Sequence, residues 1–515
     1  MSEPGPSGRA HRTGGGVARV PIVIGIVALL AVGGLADRQA GATKSTSGSA
    51  VHAVSAAAPA AALSSSWFCA GATASPSGPA AGQLIIANAG DRTVKAVISL
   101  VPSTGAGPAP LTVMVPPKSR QAVPEQLPSV APWVGAIVNL DGGMATVEQQ
   151  ITGSLGIAAT PCATSGSNQW YFTSGETLVN ATLDLNLLNP YPTDAIVDLS
   201  FTTEQGAEEP GDFQALTVPA GGMLTVDVGS HLRRRQHIAT RVTSRNGRVV
   251  AWQTQVVSPP APGTPLIGAA GSPATGSAAA GSAAVVGDPA DPVAGVTVSL
   301  GSPAAATSWS WPDGVAGNGV DEQYVIYNPG PGTAQLELAL NLEQGSAEPF
   351  SLTVGPDAVA TVVSSAEARV PAGVAHAAVL RSVNGVPVVA ARAVTAAPPS
   401  PALGRGILAG GLQPARRWLV GAGGTNPQLT MWLVLLNPGP APVTATVHIL
   451  GAANLAFEPV TVPPGGRQAI RVNDQVPALD AALVVTGTGP LFVERDLYGK
   501  ERGVSLSLGA PLPDS

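Results

Sequence analysis

The chain has 515 residues, enough for three or four domains of ordinary size. It contains 62 glycines and 49 prolines, and only 11% of its residues are charged, where about 25% is usual. This shortage of charge excludes coiled coils and long exposed helices, and a net charge of −6 without a basic stripe excludes nucleic-acid binding. Because 45% of the residues are hydrophobic, charge-driven disorder is excluded too, and an all-β chain with Gly and Pro at its turns is predicted.

An uncharged apolar run occupies residues 20–36, and Arg9, Arg12 and Arg19 precede it. The run approaches the length of a membrane-spanning helix, and the positive-inside rule places the arginines in the cytoplasm. We therefore expect a single-pass protein of the cell membrane, anchored by its N-terminal helix, with the C-terminal ectodomain outside. The small-residue site at 40–42 offers an alternative, in which signal cleavage releases a secreted protein.

The two cysteines of the chain, Cys69 and Cys162, both follow the predicted anchor. Outside the membrane, oxidising conditions permit a disulfide between them. The bridge would close a loop of 93 residues, for which chain-entropy models give about 4 kcal/mol of stabilisation. We predict that it ties the start of the first β module to its end.

A pattern with a period near one hundred residues recurs four times. Its first element is a Trp-led cluster at Trp67, Trp170, Trp309 and Trp418. An apolar strand then ends at Asn88, Asn189, Asn328 and Asn437, which lie 21, 19, 19 and 19 residues after the tryptophans. A Thr-Val strand follows, and its last valine lies 27, 29, 26 and 25 residues after the asparagine. The tryptophans could form a stacking site for sugars, but their recurrence at one position in every unit favours packing in the core.

Two further features recur later in the units. The pairs Asn246-Gly247 and Asn384-Gly385 lie between Val- and Ala-rich strands, which predicts hairpins with type I′ turns. The segments 295–303 and 503–511 match almost residue for residue. We interpret these segments as the last strand of one unit leading towards the next.

The number of short strands in each unit predicts tandem immunoglobulin-like antiparallel β-sandwiches, with a β-propeller as the alternative. In a propeller, each unit would have to supply two blades. The predicted segments are a cytoplasmic tail (1–16), a membrane anchor or signal (17–36), a flexible spacer (37–64), module 1 (65–165), module 2 (166–257), a Pro/Ala/Gly/Ser linker (258–294), module 3 (295–400) and module 4 (401–515).

Motifs for hydrolytic, metal-dependent and phosphate-binding chemistry are absent from the sequence, so we predict no catalytic, cofactor or metal residues. The sequence 421–424 is glycine-rich but opens no helix, and is interpreted as a turn. Two charged groups stand out in module 2, and both are interpreted as exposed loops. The acidic group is Glu204, Glu208, Glu209 and Asp212, and the basic group is Arg233, Arg234, Arg235 and Arg241 with His231 and His237.

Taken together, the Trp-Phe cluster at residues 67–68, the strands that end in Asn-Pro-Gly, the segment 461–467 and Val493-Glu494-Arg495 resemble a tandem repeat of exported bacterial proteins. With the N-terminal anchor, the whole chain resembles an actinobacterial family of membrane-anchored secreted proteins of unknown function. The resemblance implies a location and an architecture, and it brings no catalytic residues with it.

We therefore expect a non-catalytic extracytoplasmic protein of the cell envelope whose β modules bind a partner protein or a wall glycan. One alternative is an accessory subunit of a membrane-bound envelope glycosyltransferase. Another is a glycan hydrolase that uses the acids of module 2.

Overall fold

The computed structural model describes residues 55–127, 131–259, 293–343, 345–452, 455, 457–476 and 480–514. The predicted tail, the anchor and most of the spacer and of the linker lie outside this part of the chain. Among the described residues, no helix has the length and apolar character needed to cross a membrane. Helical structure there consists of four three-residue 3-10 turns: Gly211–Phe213, Val228–Ser230, Ser364–Ala366 and Val472–Asp474.

The strands fall into four modules along the chain. Module 1 contains β1 (Ser65–Thr73), β2 (Ala81–Asn88), β3 (Val94–Pro102), β4 (Leu111–Val115), β5 (Ser119–Pro124), β6 (Trp133–Leu140), β7 (Ala145–Gly153) and β8 (Gly156–Pro161). Module 2 contains β9 (Gln169–Phe172), β10 (Ala181–Leu188), β11 (Ala195–Thr203), β12 (Gly206–Glu208), β13 (Leu216–Val218), β14 (Met223–Asp227), β15 (Ile238–Asn246), β16 (Val250–Val257) and β17 (Gly295–Leu300). Module 3 contains β18 (Ser308–Trp311), β19 (Val320–Asn328), β20 (Ala334–Leu342), β21 (Phe350–Val354), β22 (Ala358–Val363), β23 (His376–Ser382), β24 (Val389–Ala396) and β25 (Gly404–Ala409). Module 4 contains β26 (Ala415–Val420), β27 (Leu429–Leu436), β28 (Val443–Ile449), β29 (Val460–Val462), β30 (Arg467–Arg471), β31 (Leu483–Gly499), β32 (Val504–Leu508) and β33 (Ala510–Leu512).

Each module consists of two antiparallel sheets. In module 1 the strand orders are β4-β3-β6-β1 and β5-β2-β7-β8, and one parallel pair, Thr73 of β1 with Ala81 of β2, connects the two. We call the first the flanking sheet and the second the axial sheet, and modules 2 and 3 repeat both orders. In module 4 the 17-residue strand β31 passes through both sheets, and β33 extends the flanking sheet beside β26. The prediction of an all-β fold of antiparallel sheets is therefore confirmed.

The four axial sheets surround a common axis. Their last strands touch in a closed cycle, β8 with β17, β17 with β25, β25 with β32, and β32 with β8. The axis is tight, because a Cβ atom on Gly503 would lie only 2.6 Å from the backbone nitrogen of Ile157. The ring matches the propeller alternative with four blades. Each module supplies one blade rather than two, because its other sheet packs beside the blade instead of forming another.

The strand pairing shifts two of the predicted module boundaries. β17 follows the linker 258–294 but pairs with β16, so the linker interrupts module 2 rather than separating it from module 3. In the same way β25 pairs with β24, so module 3 continues past residue 400. The reason is that the repeated segment 295–303 folds back antiparallel on the strand before it and completes the axial sheet of that module.

The two Asn-Gly pairs do not form hairpins, and that prediction is wrong. β15 belongs to a flanking sheet and β16 to an axial sheet, so the turn at Asn246-Gly247 links the two sheets of a sandwich. In each pair only the glycine has a positive φ, 74° at Gly247 and 77° at Gly385, whereas a type I′ turn needs two such residues.

The four repeated asparagines explain the regular spacing of the sequence pattern. Each is fully buried, and its Nδ2 donates to the carbonyl four residues later and to the last valine of the Thr-Val strand. The sequence separations of these valine bonds are 27, 29, 26 and 25 residues. The Oδ1 atom accepts from the backbone N–H two residues later. One side chain thus joins the end of an axial strand to the flanking sheet of every module.

The four repeated tryptophans are between 0% and 3% exposed and lie in the cores of the sandwiches. Three of the indoles donate a hydrogen bond from Nε1 to a backbone carbonyl. Trp170 donates to Val249 and Trp309 to Val388, which directly precede β16 and β24, and Trp418 donates to Leu491 on β31. The predicted disulfide is confirmed. Cys69 on β1 is bonded to Cys162 after β8, with their Cα atoms 5.0 Å apart, so the bridge joins the first and last strands of module 1.

The buried asparagine can be tested by removing its side-chain amide. Asn328→Ala would leave the carbonyls of Gly332, Val354 and Gly355 without this donor. We expect the free energy of unfolding to fall by about 2–4 kcal/mol, measured by urea denaturation with tryptophan fluorescence. Asn246→Ala, at an exposed position, is the control and should change stability by less than about 0.5 kcal/mol. Equal effects of the two substitutions would contradict the role of the buried amide.

Candidate functional site

The two charged groups predicted as separate loops of module 2 contact each other at two pairs of side chains. Arg235 Nε lies 2.9 Å from Glu208 Oε1, and His231 Nε2 lies 3.3 Å from Asp212 Oδ2. Glu204 accepts hydrogen bonds from the backbone N–H groups of Gln236 and His237. The hydrogen bond from Arg235 lowers the pKa of Glu208, which disfavours a role as a proton donor in glycan hydrolysis.

The glycine-rich turn at 421–424 lies where module 4 meets module 1, an interface we call the 4–1 seam. The N–H of Gly421 donates to Glu148 Oε1 on β7. Glu148 Oε2 lies 2.8 Å from Arg495 Nη1 on β31, and both side chains are 1% exposed. Arg495 Nη2 also donates to the carbonyl of Ala159 on β8, at 2.9 Å. A buried ion pair therefore closes the ring.

The interface between modules 3 and 4, which we call the 3–4 seam, repeats this arrangement. Arg392 Nη2 on β24 lies 2.6 Å from Glu494 Oε1 on β31, and the N–H of Asp313 donates to Glu494 Oε2 at 3.1 Å. Arg392 and Arg495 occupy equivalent positions in their axial sheets, where they pair with Leu408 and Ser507 on the neighbouring last strand. In both seams an arginine of one module binds a glutamate of the next.

The other two seams carry uncharged residues at these positions. Gln149 and Gln253 occupy the register of the arginines, and Trp252 and Ala391 occupy that of the glutamates. Each arginine thus meets a glutamate of the next module, whereas the glutamines donate within their own modules, Gln149 Nε2 to Glu125 and Gln253 Nε2 to the carbonyl of Ser174. The charges occur as matched pairs on the two sides of module 4.

A second layer of polar groups lies behind Arg392. Glu322 Oε2 on β19 lies 2.8 Å from His376 Nε2 and accepts a 2.8 Å hydrogen bond from Ser364 Oγ. The Nε2 atom of His376 also lies 3.2 Å from the hydroxyl of Tyr324. Glu322 and His376 are fully buried.

Asp496 on β31 is the least satisfied member of the cluster. It is fully buried, and neither carboxylate oxygen accepts a hydrogen bond from a donor group; its neighbours are the carboxylates of Asp313 and Glu494. Asp313 forms an ion pair with Arg467 of β30. A cavity of about 40 Å³ adjoins the cluster, lined by Asp313, Glu322, Arg392 and Tyr498 together with Val315, Val320, Val394, Ala396, Ser400, Ala402 and Leu506.

The pKa values in this seam are shifted in opposite directions. Burial raises the pKa of Glu494 to about 7 against the pull of Arg392. Burial, then the carboxylates of Glu494 and Asp313, raise the pKa of Asp496 well above its ordinary value. Burial also acts to raise the pKa of Asp313, but the guanidinium groups of Arg467 and Arg392 outweigh it and lower that pKa.

The sequence alone does not single out this cluster. Val493-Glu494-Arg495 stands out there only as part of the family-like pattern. The available signal was the presence of charged residues within otherwise buried strands, such as Glu148 in β7 and Arg392 in β24. A charge in a buried strand requires a partner, but the partner lies in another module, 102 residues away for Arg392 and 347 residues away for Glu148.

Residues 140–402, just over half of the chain, match the family of unknown function DUF5719. The chain belongs to this family. The matched region runs from the end of β6 to beyond β24. No curated protein matches the chain.

Solved structures similar to parts of the chain are distant. The crystal structure of Thermotoga maritima 1070 is 19% identical, covers 21% of this chain and 94% of its own, and has a TM-score of 0.19. An α-L-rhamnosidase of Streptomyces avermitilis complexed with L-rhamnose is 12% identical, with 84% of this chain and 57% of its own covered and a TM-score of 0.12. Salmonella α-2-macroglobulin reacted with methylamine is 10% identical, with 88% and 33% covered and a TM-score of 0.12.

The 4–1 ion pair predicts how ring closure responds to substitution. Arg495→Met leaves Glu148 buried without its guanidinium, and we expect the free energy of unfolding to fall by about 3–5 kcal/mol. Adding Glu148→Leu to the same chain should recover part of this loss, because it removes the uncompensated charge. Urea denaturation of the two variants measures both effects. A double variant less stable than Arg495→Met alone would contradict the assignment.

Glu125, in module 1, predicts a separate pH effect. It is fully buried, both carboxylate oxygens accept from Gln149 Nε2 at 2.9 Å, and burial raises its pKa from 4.5 to about 8. The folded protein therefore keeps a proton that the unfolded chain releases, so the stability that this group contributes is fully present below about pH 4.5 and is lost as the pH rises to about 8. The expected slope from this group is about 1.4 kcal/mol per pH unit.

Glu125→Gln should flatten the dependence of the free energy of unfolding on pH between about 5 and 8. The measurement is denaturant unfolding at several pH values. Glu337→Gln changes an exposed glutamate on β20 and should leave the wild-type slope intact. An unchanged slope in Glu125→Gln would show that Glu125 is ionised in the folded protein.

Proposed function

We propose that this protein is a non-catalytic extracytoplasmic component of the cell envelope, which binds a partner protein or a wall glycan with the exposed loops of its ring. The predicted segment 17–36 would anchor it in the membrane. The observation that carries the proposal is the way in which the buried polar groups are used. The arginines and glutamates of the axial strands join one module to the next, which stiffens the ring as a scaffold.

Two small cavities lie near the contacts between modules. The cavity beside Arg392 has a volume of about 40 Å³, and a cavity on the ring axis, lined by the last strands of the four axial sheets, has about 10 Å³. The first has room for a few water molecules and the second for about one. Pockets for small organic ligands have volumes of about 300–1,000 Å³, so neither of these two cavities is a site for such a ligand.

The bonding of the module 2 acid Glu208 supports a non-catalytic role. Glu208 is bound by Arg235 in two hydrogen bonds, to Oε1 at 2.9 Å and to Oε2 at 3.2 Å. A carboxylate held in this way is a structural partner of its loop. Glu209 beside it is exposed to solvent.

Crosslinking in intact cells tests the proposal. A photoreactive amino acid is placed in the full-length chain at Val179 or Val383, which are 80% and 67% exposed on modules 2 and 3. We expect a recurrent envelope protein or wall polymer in the crosslinked product. The same probe at Ala195, which is buried, is the control and should yield none.

Two results would overturn the proposal. Recovery of a membrane glycosyltransferase as the sole partner would identify an accessory subunit instead. Hydrolysis of a wall glycan by the purified chain, abolished by Glu208→Ala with Glu209→Ala, would identify an enzyme.

A further inference from the structure

The 3–4 seam holds more buried acids than bases. Module 3 contributes Asp313, Glu322, His376 and Arg392, and module 4 contributes Arg467, Glu494 and Asp496. Four carboxylates therefore face two guanidinium groups and one imidazole. Arg467 is bound to Asp313 and Arg392 to Glu494, while His376 faces Glu322. This pairing leaves Asp496 without a partner.

An ionised carboxylate without a partner is disfavoured in a buried interface, because nothing replaces its lost hydration. A proton on Asp496 removes the charge and provides an O–H donor towards the neighbouring carboxylates of Asp313 and Glu494. Tyr324 and Tyr498 also lie among these groups, and the exposed carboxylate of Glu343 lies 3.4 Å from Arg467 Nη1. Asp313 and Glu494 lie at the contact between the modules, with Asp496 beside them, so separating the modules would return these acids to water.

We propose that the 3–4 seam binds at least one proton when it closes, so that acidic surroundings tighten this part of the ring and alkaline surroundings loosen it. The shifted pKa values of Glu494 and Asp496 agree with the direction. The closed seam holds protons that the open seam releases, so its stability is greatest below about pH 4.5 and falls as the pH rises through 7.

The 4–1 seam is a matched control within the same chain. There Glu148 meets Arg495 one to one, and both carboxylate oxygens have partners. The other charged pair in that seam, Arg120 with Asp480, is also balanced. This seam has no surplus acid, so its closure should not depend on pH in the same range.

Two backbone amides report on the two seams. The N–H of Asp313 donates across the 3–4 seam to Glu494, and the N–H of Gly421 donates across the 4–1 seam to Glu148. Hydrogen exchange of the full-length chain at single-amide resolution, corrected for the intrinsic effect of pH, measures the opening of each. Between pH 5.5 and 8.5 we expect the protection of Asp313 to fall at least about tenfold and that of Gly421 to stay constant.

Asp496→Asn imitates the size and neutral charge of the protonated acid. It should make the protection of Asp313 independent of pH while leaving Gly421 unchanged. Glu494→Gln removes the partner of Arg392 and should lower the protection of Asp313 at every pH. Equal pH dependence at both amides in the wild-type chain would overturn the proposal, whether or not the variants fold. So would a pH-dependent Asp313 amide in Asp496→Asn.

Discussion

Closure of the ring is the constraint on which the rest of the structure depends. Four modules meet head to tail, and such contacts produce a closed ring only if the last module reaches the first at the correct angle. The seam where this happens is sealed by the ion pair between Arg495 and Glu148, and by Leu419, Ala482 and Leu512 of module 4 against Ala87 and Ala89 of module 1. The described ends of the chain add to it, because the N–H of Ala57 donates to the carbonyl of Pro511 at 3.0 Å.

Buried charge serves recognition between modules better than it serves stability. Apolar residues of similar volume would often be at least as stable as a buried ion pair, and the positions of Gln149 and Gln253 in the other two seams carry no charge. An arginine that meets an apolar residue in the wrong module is strongly disfavoured, however. The matched pairs on both sides of module 4 therefore discriminate against incorrect docking among four modules of similar shape.

Much of the module could be predicted from sequence, because its determinants are local or recur. The recurring spacing between the asparagine and the valine, such as Asn328 and Val354, reflects a hydrogen bond that joins these two residues in the fold. The Cys69–Cys162 bridge is predicted from the presence of two cysteines in the chain. The turn at Asn246-Gly247 was misjudged because Asn-Gly is compatible with several connections, and only the sheet to which each strand belongs decides among them. The seam cluster was missed because Arg392 and Glu494 acquire meaning only when two modules are placed side by side.

The ring does not depend on the covalent connection through the linker, because the strands on either side of the linker pair directly with each other. Residues 258–294 join β16 to β17, which are already neighbours in one sheet and are hydrogen-bonded along six residue pairs. A chain cut within this linker would stay one particle under native conditions and come apart into two fragments only on unfolding, with the disulfide wholly in the first. The segments before and after the linker therefore behave as two parts held together by strand pairing as well as by the covalent chain.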